Sequence, residues 1–226
     1  LAGGALFVDE AARRGLDFVH TNGMSGEFYP PEIMGAGAAL FDFDDDGDLD
    51  AYFLQGHPLG EGRGEAGSDR LYRNDLEGGE LRFSDVTAES GLPPGGYGMG
   101  VAAGDFDNDG RVDLYLANFG ANRLLRNDGP RGFTDVTRES GTGDEGWGVP
   151  AVFFDYDRDG WLDLFVGNYL EMKIEENLVC RTVTGRRDYC APDVYPGAPD
   201  RLFHNRGDGT FADVTEEAGL AEGAEA

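Results

Sequence analysis

Positive charge is scarce in this sequence. Against 44 aspartates and glutamates stand only 18 lysines and arginines, a formal net charge of -26 over 226 residues. Such a surface repels a phosphate backbone or an anionic bilayer rather than gathering it, which argues against nucleic acid and lipid headgroups as partners. Long apolar runs are missing as well. None approaches the ~20 residues of a membrane span, and the N-terminal region has no basic start followed by a hydrophobic stretch. No membrane insertion is expected, and the start at Leu1 rather than Met suits a processed or trimmed chain.

Histidine and cysteine are nearly absent. The three histidines, His20, His57 and His204, stand far apart in sequence, and the two cysteines, Cys180 and Cys190 in "CRTVTGRRDYC", have neither Cys-x-x-Cys nor zinc-site spacing. Two readings of the pair stay open at this point. One is a disulfide, worth roughly 3 kcal/mol by chain entropy and pointing to an oxidising compartment. The other is a pair of free buried thiols. No Asn-x-Ser/Thr sequon occurs, so N-linked glycosylation is not expected.

Signals for chemistry are weak. "GRGEAG" from Gly62 to Gly67 matches Gly-x-Gly-x-x-Gly by letter, but it follows a loop and precedes a strand, so it reads as a flexible loop and not a phosphate cradle. "NGMSG" around Ser25 lacks nucleophile-elbow spacing, and His20 reads as a packed or exposed side chain. No enzyme is expected. Tyr97 and Trp147 stand before first strands at equivalent places, where packing is favoured over exposed stacking on a sugar or protein.

What the chain does contain is 40% hydrophobic residues, 12% aromatics and a repeat. It should fold. "DFDDDGDLD" (Asp42 to Asp50), "DFDNDGRVD" (Asp105 to Asp113) and "DYDRDGWLD" (Asp155 to Asp163) share one spacing, and each leads into an alternating apolar run. Next come "DRLYRND", "NRLLRND" and "DRLFHNR", and then tails "FSDVTAESGL", "FTDVTRESGT" and "FADVTEEAGL". Four short strands per unit of about fifty residues is the arithmetic of a propeller blade. Strands apolar on both faces require cover on both, which stacked blades supply, and glycines before each first strand suit close approach around an axis.

The expected fold is therefore all-β: three four-stranded propeller blades in a single repeat domain spanning residues 1–226. Blades are expected at 32–92, 93–143 and 144–220, the last with the cysteine-containing insertion, and a tail at 221–226. Residues 1–31, which include the degraded tail "FVDEAARRGL" from Phe7, are expected to supply a spare N-terminal outer strand and lead-in. Three blades are fewer than usually close a ring. A partial propeller or open assembly follows, with bare faces on blades one and three; an open solenoid or sandwich of the same repeats is the runner-up.

Four carboxylates within about 5–6 Å of one another repel by roughly 3 kcal/mol per pair at an effective dielectric near 20. A bound cation offsets this. Calcium takes six to eight oxygens, which alternate residues of a short loop deliver while glycine makes the bend. The expected ligands are Asp42, Asp44, Asp46 and Asp50 with the carbonyl of Asp48; Asp105, Asp107, Asp109 and Asp113 with that of Arg111; and Asp155, Asp157, Asp159 and Asp163 with that of Trp161. The twelfth residue counted from each loop start is Phe53, Leu116 or Val166, apolar and in a strand, so these are three strand-flanked Ca2+ sites and not EF-hands. Magnesium, with its stricter octahedron and retained waters, fits less well.

The loop followed by a strand resembles the FG-GAP or VCBS repeat of integrin α-type propellers. Over nearly its whole length, from "FVDEAARRGLDFVHTNG" to "PDRLFHNRGDGTFADVTEEAGL", the chain is similar to the cartilage acidic protein-like family, which often carries an ASPIC/UnbV domain. The resemblance implies an extracellular, secreted or cell-surface calcium-binding propeller for adhesion, with protein or glycan partners and no chemistry. It also implies a Cys180–Cys190 disulfide, and the family's propeller has seven blades where three stand here. The alternative reading is a self-assembling subunit of an extracellular fibre or oligomer, joined to other copies through the spare strand and bare blade faces.

Overall fold

The computed structural model describes residues 7–60, 67–76 and 79–220. Three four-stranded antiparallel sheets follow one another along the chain. The first holds β1 (Ala38–Phe41), β2 (Asp50–Phe53), β3 (Arg70–Asn74) and β4 (Phe83–Asp85) in that order. The second holds β5 (Tyr97–Gly104), β6 (Asp113–Phe119), β7 (Arg123–Asn127) and β8 (Phe133–Asp135). In the third, β9 (Gly148–Phe154) pairs with β10 (Asp163–Asn168), which pairs with β13 (Arg201–Asn205) and through it with β14 (Phe211–Asp213). The hairpin of β11 (Cys180–Arg181) and β12 (Arg187–Asp188) is inserted between β10 and β13.

Alternation within each strand produces two inter-blade cores. Between the first and second blades lie Phe41, Tyr52, Leu54 and Leu71 against Leu114, Leu116, Leu125 and Phe133. The neighbouring residues of the same strands, Tyr115 and Leu124, face the other way and meet Leu164, Val166, Phe203 and Phe211 of the third blade. Strand β6 of the middle blade thus buries both faces, as its run of apolar residues on both sides requires. The inner strands approach closely: a Cβ on Gly37 would stand 3.0 Å from Gly100 Cα, and one on Gly100 only 1.9 Å from the Val149 carbonyl oxygen.

Tyr97 and Trp147 are buried, at 3% and 1% exposure, in a third cluster with Leu59, Met99, Leu170 and Tyr195. The packing reading of both aromatics holds. Cys180 and Cys190 form a disulfide with an S–S distance of 2.05 Å. The inserted segment is tied to the N-terminal region, where Asn177 Nδ2 donates to the Glu27 carbonyl and Arg187 pairs with Glu27 Oε2 at 2.9 Å.

The N-terminal expectation needs correction. Among the described residues, the stretch from Phe7 forms no strand; it enters a 3-10 turn at Ala12–Arg14 that ends at Gly15 in the left-handed region. In the repeat tails the Phe-x-Asp triplet is a strand because the strand just before it in sequence is there to pair with it. Near Phe7 no such strand precedes among the described residues. The turn half of the motif keeps its place: a Cβ on Gly15 would lie 2.3 Å from the Phe83 carbonyl oxygen, as one on Gly91 would lie 2.9 Å from that of Phe133.

Blade one is also less bare than expected. Phe18 stacks on Phe53 with centroids 4.9 Å apart, Asp17 accepts from the Tyr72 hydroxyl at 2.8 Å, and Thr21 bonds Gln55 and Gly56. The lead-in caps that outer face. Among the described residues blade three has no such cover: Val152, Phe154 and Tyr156 are 48%, 38% and 42% exposed. The Gly-x-Gly-x-x-Gly loop, apart from Gly67, and the tail at 221–226 lie outside the described residues.

Candidate metal centres

Each aspartate loop joins the first strand of a blade to the second. The sixth residue is Gly47, Gly110 or Gly160, each at φ 91°, a left-handed conformation that glycine adopts without steric cost. The fourth is Asp45, Asn108 or Arg158, at φ 62°, 55° and 66°, so a non-glycine residue takes the same conformation in all three loops. This pair of left-handed residues folds the loop back on its first aspartate. Asp42 accepts from the Asp46 and Gly47 amides at 3.2 and 2.9 Å, Asp105 from Asp109 and Gly110 at 3.0 and 2.9 Å, and Asp155 from Asp159 and Gly160 at 3.1 and 3.0 Å.

The ninth aspartate starts the second strand and is fully buried at Asp50, Asp113 and Asp163. Two backbone amides hold each one. Asp50 accepts from Phe43 and Asn74, Asp113 from Phe106 and Asn127, and Asp163 from Tyr156 and Asn205. The first of each pair closes the loop, and the second ties it to the third strand of the blade.

Carboxylate oxygens of Asp42, Asp44 and Asp50 come within 4.8 Å of one another, as do those of Asp105, Asp107 and Asp113. The third loop differs. There Asp155, Asp157 and Asp159 form one triad, and Asp157, Asp163 and His204 another. The fifth-position aspartates Asp46, Asp109 and Asp159 all accept the amide two residues on, and Asp109 also pairs with the Arg111 guanidinium. Arg111 Nε donates to the Asn127 carbonyl at 2.8 Å.

Electrostatics fit a cation. Burial is the main cause that pushes the Asp113 carboxyl up to about 7 and that of Asp50 up to about 6, with nearby aspartates adding to it. Asp44 and Asp107 are raised for the same reasons, burial first and then their neighbours Asp46 and Asp109. Asp107 Oδ1 is buried without a hydrogen-bond partner among the described residues. A hard, oxygen-seeking ion supplies what these groups lack, so the residues present suit calcium.

Two features escaped the sequence reading. Asn127 and Asn205 are buried clamps between blades: Asn127 Nδ2 donates to the Phe43 carbonyl of the preceding blade at 2.9 Å, and Asn205 Nδ2 to that of Phe106 at 2.8 Å. Their recurrence after Arg-Leu-x-x was the available signal. His204 is the second, facing the third loop at the place where the other blades carry Arg73 and Arg126.

A family model described as FG-GAP-like repeat matches residues 42–116 and 105–166. Among curated proteins, the chain is 31% identical over 129 residues to cartilage acidic protein 1 of Mus musculus and 30% identical over the same length to that of Homo sapiens. Those alignments cover 55% of this chain but only 17% and 16% of the two relatives. The family matches together run from the first aspartate loop through the third, across more than half of the chain, and the chain belongs to the FG-GAP-like repeat family.

Proposed function

We propose that this protein is an extracellular calcium-binding module that acts in adhesion through protein or glycan contacts, with calcium holding the blade loops. The observation that carries this is the buried, partnerless Oδ1 of Asp107 beside Asp105 and Asp113, in a loop whose backbone turn recurs in all three blades. An extracellular setting is supported by the disulfide and by likeness to a protein named for cartilage. Three Ca2+ would carry six charges and bring the formal charge from -26 to -20. Loop ligands would be those expected from the sequence, including the carbonyls of Asp48, Arg111 and Trp161.

Elemental analysis of the purified chain and its melting with and without EDTA test the metal. At a calcium level 100 times Kd, each site adds about 2.7 kcal/mol, so chelation lowers the melting temperature by many degrees. An unchanged melt with no bound calcium defeats the reading. Cell attachment to surfaces coated with the chain tests adhesion, and attachment indifferent to chelator counts against a calcium-held surface.

A second reading, a self-assembling subunit of a fibre or oligomer, is favoured by the exposed Val152, Phe154 and Tyr156 on blade three. Phe41 and Phe43, their counterparts on blade one, pack on Phe133 of the next blade with centroids 6.4 and 5.4 Å apart. Sedimentation distinguishes the readings: self-association must weaken in Phe154→Ser. The strand-exchange half of that idea is left without its strand.

A further inference from the structure

We propose that the third loop is a mixed nitrogen and oxygen centre, in which His204 joins Asp157 and Asp163 to bind a first-row transition ion of the zinc class. The inference rests on the loops being cation sites and gives one of them a different ion.

Its basis is a difference between otherwise equivalent blades. Asn74, Asn127 and Asn205 occupy the same place, and the residue before each is Arg73, Arg126 or His204. The two arginines turn outward to the residue after the asparagine: Arg73 Nε lies 2.7 Å from Asp75 and Arg126 Nε 2.9 Å from Asp128. In the third blade that residue is Arg206, so the outward carboxylate is gone. His204 turns inward instead, with Nδ1 3.2 Å from Asp163 Oδ1 and 3.5 Å from Asp157 Oδ2.

The donors are held in advance. Asp163 is fully buried, its Oδ1 accepting from Asn205 N at 2.8 Å and its Oδ2 from Tyr156 N at 3.1 Å. The imidazole packs edge to face on Tyr156 with centroids 5.9 Å apart. A tetrahedral centre with bonds of about 2.0–2.1 Å has donor-to-donor edges of about 3.3–3.4 Å, between the two separations found. Asp157 also belongs to the triad with Asp155 and Asp159, so a further carboxylate is at hand.

Chemistry then selects the ion. Calcium seeks oxygen, and an imidazole nitrogen adds little to its binding. Zinc, cobalt and nickel take imidazole and carboxylate together. Charge favours a cation of either kind at the third loop: the guanidinium of Arg73 is within electrostatic reach of Asp44 and Asp50, and that of Arg126 within reach of Asp107 and Asp113. Both set a fixed positive charge beside their loops. A ligating imidazole is neutral and removes that opposition from the third.

The test uses the full chain, saturated with calcium and then titrated with zinc, with cobalt as the spectroscopic probe. One zinc is expected to bind, and His204→Arg, which restores the residue of the other blades, and His204→Gln are each expected to weaken it by about tenfold or more. Cobalt should give the intense visible bands of a tetrahedral site in the parent chain and lose them in both variants. Calcium counted at the first two loops should stay unchanged. Zinc affinity indifferent to both variants, or lost instead in a His20→Gln, His57→Gln double variant, overturns the proposal and leaves the calcium reading standing. Zinc binding that depends on His204 in a chain that takes up no calcium supports this site and defeats the calcium reading. Should the variants fail to fold, zinc must still shift the His204 ring nitrogen resonances of the parent chain; unmoved resonances overturn the assignment.

Discussion

In the calcium-stripped chain, stability should rise as the solution is made more acid from about pH 8 to about pH 6, and the added ion should reverse that slope. The carboxyls of Asp113 and Asp50 are pushed up to about 7 and about 6 in the folded chain. Over this interval the native state takes up protons that the unfolded state does not, so the stabilising contribution is present at lower pH and is lost as pH rises through the raised values. Protonation of Asp113 between these limits contributes about 1.4 kcal/mol and that of Asp50 about 0.4 kcal/mol, or about 2 kcal/mol together. For a chain of this size that is a rise of about 4–8 °C in melting temperature. With calcium bound, protons compete with the ion for the same oxygens, and melting temperature should fall over the same interval. The assay is thermal unfolding in EDTA and in excess calcium at each pH. The difference between the slopes of the two arms carries the test, and Asp113→Asn should remove most of the EDTA slope. Parallel slopes in the two arms would refute the reasoning.

Replacing the inter-blade clamp, Asn127→Ala, leaves the half-buried carbonyls of Phe43 and Val112 without their donor and should cost about 1–3 kcal/mol in urea unfolding. Asn74→Ala should cost less, because the Asn74 side-chain oxygen has no partner among the described residues. Gly100→Ala forces a Cβ to 1.9 Å from the Val149 carbonyl and should destabilise by about 2–4 kcal/mol, since backbone must move. Gly110→Ala meets nothing within 4 Å and should lose only the ~1 kcal/mol of its left-handed backbone. Equal effects at the two glycines would contradict the close approach of the inner strands.

Blade number, strand order and the loop positions were all readable from the chain because they rest on short-range chemistry. Alternation of apolar residues, aspartates at the first, third, fifth and ninth places and a glycine at the sixth act within a few residues of each other, and repetition marks them three times. The left-handed fourth residue carried no such mark, being Asp45, Asn108 and Arg158 in turn. Equivalence in sequence hid what surroundings decide. Asp46, Asp109 and Asp159 match the other loop aspartates by spacing, yet each accepts the amide just two residues on, while Asp50, Asp113 and Asp163 are fully buried and tie the loop to the third strand of the blade. "FVDEAARRGL" looks like a tail, but a strand needs a partner, and the lead-in that follows it caps blade one instead. His204 had no sequence neighbour to give it a role; only the pairing of β13 with β10 brings it to Asp163, across 41 residues of chain. Local pattern determined the elements and their repetition, and packing between distant segments determined which carboxylates meet, which face is covered and where an imidazole enters an aspartate loop.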